Sequence, residues 1–195
     1  MINLELRELA PERVEQIYRE HIVRDFPADE QKPLVNILRA MERGEYVCYG
    51  AFEEDRLLAY AFFVSIPEGE RRLYLFDYLA VCRGLRDRGI GSAFLQALMR
   101  GPLRQAACVL LEIDDPDFAA DEQERALRLR RRAFYMRNGL RDTGVTAVVY
   151  HVEFRILELP VCPPHSMREA KDIYKRLYGA IMPEWIYRNK FRVNE

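Results

Sequence analysis

The stretch from Leu79 to Ser92 constrains this 195-residue chain more than any other. Leu79-Ala80-Val81 closes an apolar strand. Five residues later comes Arg86-Asp87-Arg88-Gly89-Ile90-Gly91-Ser92, after which Ala93, Phe94, Ala97 and Leu98 continue from Ile90 at helical spacing. A strand thus passes through a basic, glycine-containing turn directly into an amphipathic helix. The first turn of such a helix points unpaired backbone N–H groups outward and carries a partial positive charge, which suits phosphate. Gly89 and Gly91 let a ligand approach the backbone, and Arg86 and Arg88 add charge. These residues describe a pyrophosphate cradle. Two other phosphate loops fail on spacing. Gly84 and Gly89 have the P-loop separation, but Ile90 and Gly91 stand where Lys and Ser/Thr are needed. A nicotinamide fingerprint would need a third glycine where Phe94 stands.

What remains is Arg86-x-x-Gly89-x-Gly91 after a strand ending Leu79-Ala80-Val81, and it resembles the acyl-CoA-binding motif of the GNAT superfamily of N-acyltransferases. The resemblance implies acetyl-CoA as cosubstrate, with its pyrophosphate on the backbone N–H groups of residues 86–92. It also implies that Leu79, Ala80 and Val81 bond the pantetheine arm and polarise the thioester carbonyl. Asp87 stands where the family usually has glycine. A carboxylate beside a pyrophosphate is repelled unless Arg86 or Arg88 pairs with it.

Residues 121–138 read as a helix with Ala126, Leu129, Ala133 and Met136 on one face, stopped by Gly139. Its end, Phe134-Tyr135-x-x-x-Gly139-Leu140, is similar to the family's Phe-Tyr-x-x-x-Gly-Phe signature, in which the tyrosine reaches the thioester sulfur. A phenol of ordinary pKa ~10 is protonated at neutral pH, whereas a thiol ionises near ~8.5. Tyr135 can therefore donate a hydrogen bond or a proton as the C–S bond breaks, a contribution of roughly 10²–10⁴ in rate.

An amine acceptor is largely ammonium at neutral pH, so a base is also needed. Glu112 interrupts the apolar strand Ala107–Ile113, and Asp77 interrupts Leu73–Val81. Burial would raise either carboxyl toward the range in which it accepts a proton from an amine, usually through water. Glu112 also resembles the fifth-strand glutamate that serves as base in some family members, which makes it the first candidate and Asp77 the second. Each could instead be a carboxylate paired at a strand end.

Lys and Arg total 30 against 31 acids, which gives no case for nucleic acid or an anionic membrane as partner. The start Met1-Ile2-Asn3-Leu4-Glu5 lacks a basic leader region, and the longest apolar run, 57–66, is too short to span a bilayer, so a cytoplasmic location is expected. Cys48, Cys82, Cys108 and Cys162 form no C-x-x-C pair, and His21, His151 and His165 show no ligand spacing; buried free thiols and no metal are expected. His151 follows Tyr150 on a strand that the family fold would bring near the acceptor. Arg125, Arg128, Arg130, Arg131 and Arg132 read as a solvated face paired locally with Asp121, Glu122 and Glu124, or else one of them contacts the 3′-phosphate of CoA or an acidic acceptor.

Along the chain, residues 2–9 read as a strand, and Pro11 opens a helix with Val14, Ile17 and Tyr18. A loop from His21 to Pro27 leads to a helix with Leu34, Ile37, Leu38 and Met41, stopped by Gly44. Residues 46–53 and 56–66 form a hairpin, and 72–82 the next strand. The order is α/β (α+β): a mixed, mostly antiparallel central sheet flanked by helices, in the family's own element order over residues 1–157. After Pro160, Pro163 and Pro164, a capping box at Ser166-Met167-Arg168-Glu169 opens a helical extension over 158–195, carrying Ala170, Ile173, Tyr174, Leu177, Ile181 and Trp185. It packs across the sheet, covers the acceptor site or forms a homodimer contact.

The expected activity is transfer of an acetyl group from acetyl-CoA to a primary amine by direct attack in a ternary complex. The acceptor pocket is expected from His21–Lys32 and the strands 145–154, and a polyamine, a peptide N-terminus or a small amine all fit. The alternative is a non-catalytic acyl-CoA-binding or sensor module.

Overall fold

Long apolar runs separated by short turns make the sheet the organising element. In this computed structural model residues 4–194 are described, and Ile2 of the expected first strand lies outside them. The strands are β1 (Glu5–Glu8), β2 (Tyr46–Glu53), β3 (Arg56–Glu68), β4 (Arg71–Val81), β5 (Cys108–Asp114), β6 (Arg141–Val149), β7 (Val152–Glu158) and β8 (Phe191–Val193). Among the described residues they form one eight-stranded sheet in the order β1-β2-β3-β4-β5-β7-β6-β8. Every pairing is antiparallel except β4 with β5. The helices are α1 (Pro11–Ile17), α2 (Val23–Asp25), α3 (Leu34–Glu42), α4 (Ile90–Arg100), α5 (Glu122–Arg137), α6 (Met167–Ile181) and α7 (Glu184–Lys190). None is long and apolar enough to cross a membrane. The mixed, mostly antiparallel sheet flanked by helices is the architecture expected from the order of elements.

Some local expectations give way. His21–Pro27 is not a loop: the chain continues from α1 through a π-helical turn, Tyr18–Ile22, into α2, with Ile22 fully buried. His151 is not on a strand. It and Tyr150 form the tight β6–β7 turn with φ of 85° and 50°, the left-handed pair that such hairpins require. The apolar face of α5 turns outward, with Ala126, Leu129, Ala133 and Met136 all exposed. Its arginines explain this, because they tie the helix to other elements rather than to local acids. Arg130 reaches Asp87, Arg131 reaches Asp114 and Arg132 reaches Asp142, while among the described residues only Arg128 pairs within the helix, with Glu124.

The extension is not all helical, since β8 adds to the edge of β6. The Ser166–Glu169 capping box is present, and α6 lies on β3, β4 and β6 with Ala170, Tyr174 and Leu177 fully buried. Trp185 is 66% exposed in α7 and does not continue that buried stripe.

Beneath the functional end of the sheet lies an aromatic core. Phe62 is fully buried, its ring 5.8 Å from Tyr60, 6.3 Å from Tyr46 and 6.0 Å from Tyr78. Truncation there removes both transfer free energy and packing contacts. Phe62→Ala is expected to cost about 3–5 kcal/mol, read as the shift of the urea unfolding midpoint at unchanged slope.

Candidate functional site

The site is created by two irregularities in β4. Across β3, Phe62 lies opposite Tyr78 and Phe63 opposite Phe76, which leaves Asp77 as an extra residue in a β-bulge. On its other side β4 pairs with β5 only from Leu73↔Cys108 to Phe76↔Leu111. Beyond that register the two parallel strands part. Leu79, Ala80 and Val81 stay paired with Ala61, Tyr60 and Ala59 of β3, while their opposite edge is not taken up by β5. The first residues past the parting point are Asp77 on β4 and Glu112 on β5, so the structure brings the two candidate bases together.

Each carboxylate is held by its own partners. Asp77, with its side chain 10% exposed, accepts hydrogen bonds from the Lys32 ammonium through Oδ1 and from the Tyr46 hydroxyl through Oδ2. Glu112 accepts from the hydroxyls of Tyr174 and Tyr178, the latter at 2.7 Å, and both reach the same oxygen, Oε1. Its Oε2 makes no hydrogen bond among the described residues. Burial pushes the Glu112 carboxyl above the ordinary carboxylate range and the nearby Asp77 charge adds to this; the tyrosine hydrogen bonds and the Lys32 charge oppose it. Burial and the Glu112 charge in turn hold both tyrosines protonated well above the usual phenol range.

Lys32 belongs to the segment expected to line an acceptor pocket, and a second tyrosine fixes it there. The Tyr78 hydroxyl accepts from the Lys32 backbone N–H at 2.7 Å and donates to the Glu30 carbonyl at 2.9 Å. Phe26 packs edge-on against the same ring, at 5.0 Å. Of these contributors, Tyr46, Tyr78, Tyr174 and Tyr178 were silent in the sequence, because a tyrosine in an apolar run reads as core until its hydroxyl is seen to have a partner.

Tyr135 sits at the last turn of α5, which Gly139 ends at φ 91°. It lies beside Asp114 and Arg131, at the end of β5 two residues beyond Glu112, and not among the bonds that join Asp77 and Glu112 to their tyrosines. Burial pushes its phenol up to about 12. Among the described residues nothing hydrogen-bonds to its hydroxyl.

The turn from Arg86 to Ser92 leads into α4 as expected. The first helical bond runs from Ala93 N–H to the Gly89 carbonyl, so the N–H groups of Ile90, Gly91 and Ser92 precede the helical ladder. Arg86, Asp87, Arg88 and Gly89 are exposed, and Ile90 anchors the turn in the core. Gly91 also has a packing reason: a Cβ there would meet the Phe134 ring at 3.2 Å and Val81 at 3.4 Å. The Phe-Tyr pair is thereby wedged against the cradle. Asp87 pairs with Arg130 at 2.8 Å rather than with Arg86 or Arg88, because α5 lies alongside the turn. It adopts φ 62°, a left-handed conformation that glycine takes freely and aspartate better than most residues.

Comparison with known proteins follows the same lines. Residues 14–139 match the model of the acetyltransferase (GNAT) family. No curated protein matches the chain in sequence. A protein of Bacteroides thetaiotaomicron described as a GNAT-family acetyltransferase has the same fold at a TM-score of 0.69 and 18% identity, covering 89% of this chain and 96% of its own. NAA60 of Arabidopsis thaliana, solved in complex with acetyl-CoA, gives 0.59 at 16% identity, over 80% and 98%. The ribosomal-protein-S18-alanine N-acetyltransferase of Escherichia coli gives 0.54 at 16% identity, over 84% and 97%. At these identities the likeness is one of fold.

The backbone of the cradle yields a direct test. Alanine at position 87 is expected to be about 1 kcal/mol less stable than glycine there, because only glycine adopts the left-handed conformation without steric cost. Denaturant titration of Asp87→Ala and Asp87→Gly side by side checks this, and equal midpoints would deny the left-handed turn.

Proposed function

The chain belongs to the GNAT acetyltransferase family, and from that premise we propose that it transfers the acetyl group of acetyl-CoA to a primary amine by direct attack in a ternary complex. The observation that carries the reading is the parting of β4 and β5 after Phe76 and Leu111, with a carboxylate on each arm and a helix start at the end of one of them. The free edge of Leu79–Val81 offers backbone groups to an extended pantetheine arm, as a sheet edge does to a peptide. The N–H groups of Ile90, Gly91 and Ser92, with Arg86 and Arg88, then receive the pyrophosphate.

Glu112 accepts the proton that the ammonium must shed, through its Oε2 and an intervening water. The amine nitrogen attacks the thioester carbonyl carbon, the C–N bond forms, and the tetrahedral adduct collapses with cleavage of the C–S bond. The electron pair leaves on sulfur, and the adduct nitrogen gives up its remaining extra proton to solvent to become the amide. With its phenol near 12 and a thiol near ~8.5, Tyr135 is the weaker acid, so it acts chiefly as a hydrogen-bond donor to the departing thiolate, which takes its proton from solvent. Residues 158–195 serve as a cover, because α6 supplies the tyrosines that fix Glu112. Asp77 positions Lys32 and the acceptor-side segment.

Two outcomes check these roles. Tyr135→Phe is expected to lower kcat at least tenfold in a thiol-release assay over a panel of amines, with acetyl-CoA affinity by calorimetry unchanged. Binding without turnover on any amine by the unaltered protein would instead favour a non-catalytic acyl-CoA sensor. The second concerns pH. The Tyr174 hydrogen bond stabilises the Glu112 carboxylate, so removing it raises that carboxyl further. The rate rises as Glu112 deprotonates; Tyr174→Phe is therefore expected to move the acidic limb of the kcat/KM profile to higher pH. An unmoved limb would remove Glu112 from the role of base.

A further inference from the structure

A second cluster of reactive side chains lies on the same face of β5 as Glu112, four residues back along the strand. Its centre is Glu158, at the last position of β7 and 1% exposed. Around the single oxygen Glu158 Oε1 stand Cys108 Sγ at 3.6 Å, Cys162 Sγ at 3.7 Å and His165 Nδ1 at 2.6 Å. Donor atoms of Cys108, Glu158 and His165 all lie within 4.8 Å of one another. Its other oxygen, Oε2, is held by the Arg141 guanidinium of β6. We propose that Cys108, Glu158, Cys162 and His165 form a structural zinc site.

Three features support this chemistry. The first is spacing. Tetrahedral zinc, with Zn–S near ~2.3 Å and Zn–O or Zn–N near ~2.1 Å, places a sulfur and an oxygen ligand roughly 3.6 Å apart. Both cysteine sulfurs are already at that separation from Glu158 Oε1. To close on the cation, the His165–Glu158 hydrogen bond must open to roughly 3.4 Å, and Cys162, which touches Glu158 but lies outside the group of three, must draw in toward it. The second is charge. Two thiolates, one carboxylate and neutral imidazole around a divalent ion leave one negative charge, and Arg141 balances it without touching the oxygen that would ligate. The third is scaffold rigidity. Cys108 and Glu158 sit on strands joined through Leu110↔Glu158, and the Leu159 N–H reaches the Val109 carbonyl at 2.9 Å. Cys162 and His165 lie on the connection stiffened by Pro160, Pro163 and Pro164. Four protein ligands leave no open position, which marks the site as structural rather than catalytic.

The position of the site gives it a purpose. His165 immediately precedes Ser166, the N-cap of α6, and Tyr174 of α6 bonds Glu112. From Cys108 to Glu112 along β5 is roughly 13 Å, and nine helical residues from His165 to Tyr174 span about the same. Zinc at the first end would fix the register of α6 along β5 and hence the seating of its tyrosines at the other end.

The test is metal analysis of the full chain, expressed with zinc, purified reduced and without chelator. Mass spectrometry of the metal is expected to find one zinc per chain after gel filtration. Cobalt(II) exchanged for it should give a thiolate charge-transfer band and the intense visible bands of tetrahedral coordination. Cys162→Ser and His165→Ala, both at partly exposed positions, should lose the zinc while keeping native circular dichroism and acetyl-CoA binding. A folded, reduced chain that takes up no zinc from micromolar solution would overturn the proposal. So would retention of full zinc by both variants, an all-oxygen cobalt spectrum, or isolation of Cys108 and Cys162 joined as a disulfide.

Discussion

β4 and β5 are hydrogen-bonded for a few residues and then separate, and the rest of the site is arranged around that parting. A parallel pair that stayed zipped would have no unpaired backbone edge at Leu79–Val81 and no gap between Asp77 and Glu112. The bulge at Asp77 contributes to the separation, because an extra residue in one strand bends it and increases its twist. The aromatic layer of Tyr46, Tyr60, Phe62 and Tyr78 supports the bent strand from below, at ring separations of 5.8–6.3 Å. Without that support, the parted strands would expose polar backbone to an apolar core.

Two segments close the arrangement from opposite directions. The one after α2 reaches over β4, pinned by the Tyr78 hydroxyl and by the pairing of Lys32 with Asp77. From the other end of the chain, α6 brings two tyrosines to one oxygen of Glu112. A buried carboxylate so held keeps a defined orientation, and its second oxygen makes no hydrogen bond among the described residues. Among the described residues its charge is offset by hydrogen bonds and by the nearby Lys32, not by a direct ion pair of its own. A contacting ion pair would have lowered its basicity, whereas neutral phenols hold it with a smaller cost to proton affinity.

The cradle was legible in the sequence because it depends on short-range order: a strand end, two glycines and a helical repeat lie within about a dozen residues. Glu112 and Asp77 stood out for the same reason, each a charge inside an apolar run. What the sequence could not reveal depended on partners far along the chain. Tyr174 and Tyr178 lie 62 and 66 residues from Glu112, and Tyr46 lies 31 from Asp77. The outward turn of Ala126, Leu129, Ala133 and Met136 was hidden likewise. Periodicity marks an apolar stripe, but α5 is oriented by arginines whose partners Asp87, Asp114 and Asp142 belong to other elements. Cys162 and His165 stand only three residues apart, but Cys108 joins them and Glu158 only in three dimensions, where β5 meets the β7–α6 connection.

A crystal structure of the protein with acetyl-CoA tests the central claim most directly. The account requires the pantetheine arm to lie between β4 and β5, bonded to the Leu79–Val81 edge, with the pyrophosphate at the start of α4 and the thioester sulfur within hydrogen-bonding reach of the Tyr135 hydroxyl. Acetyl-CoA bound elsewhere, with that edge left to solvent and Tyr135 remote from the sulfur, would contradict it.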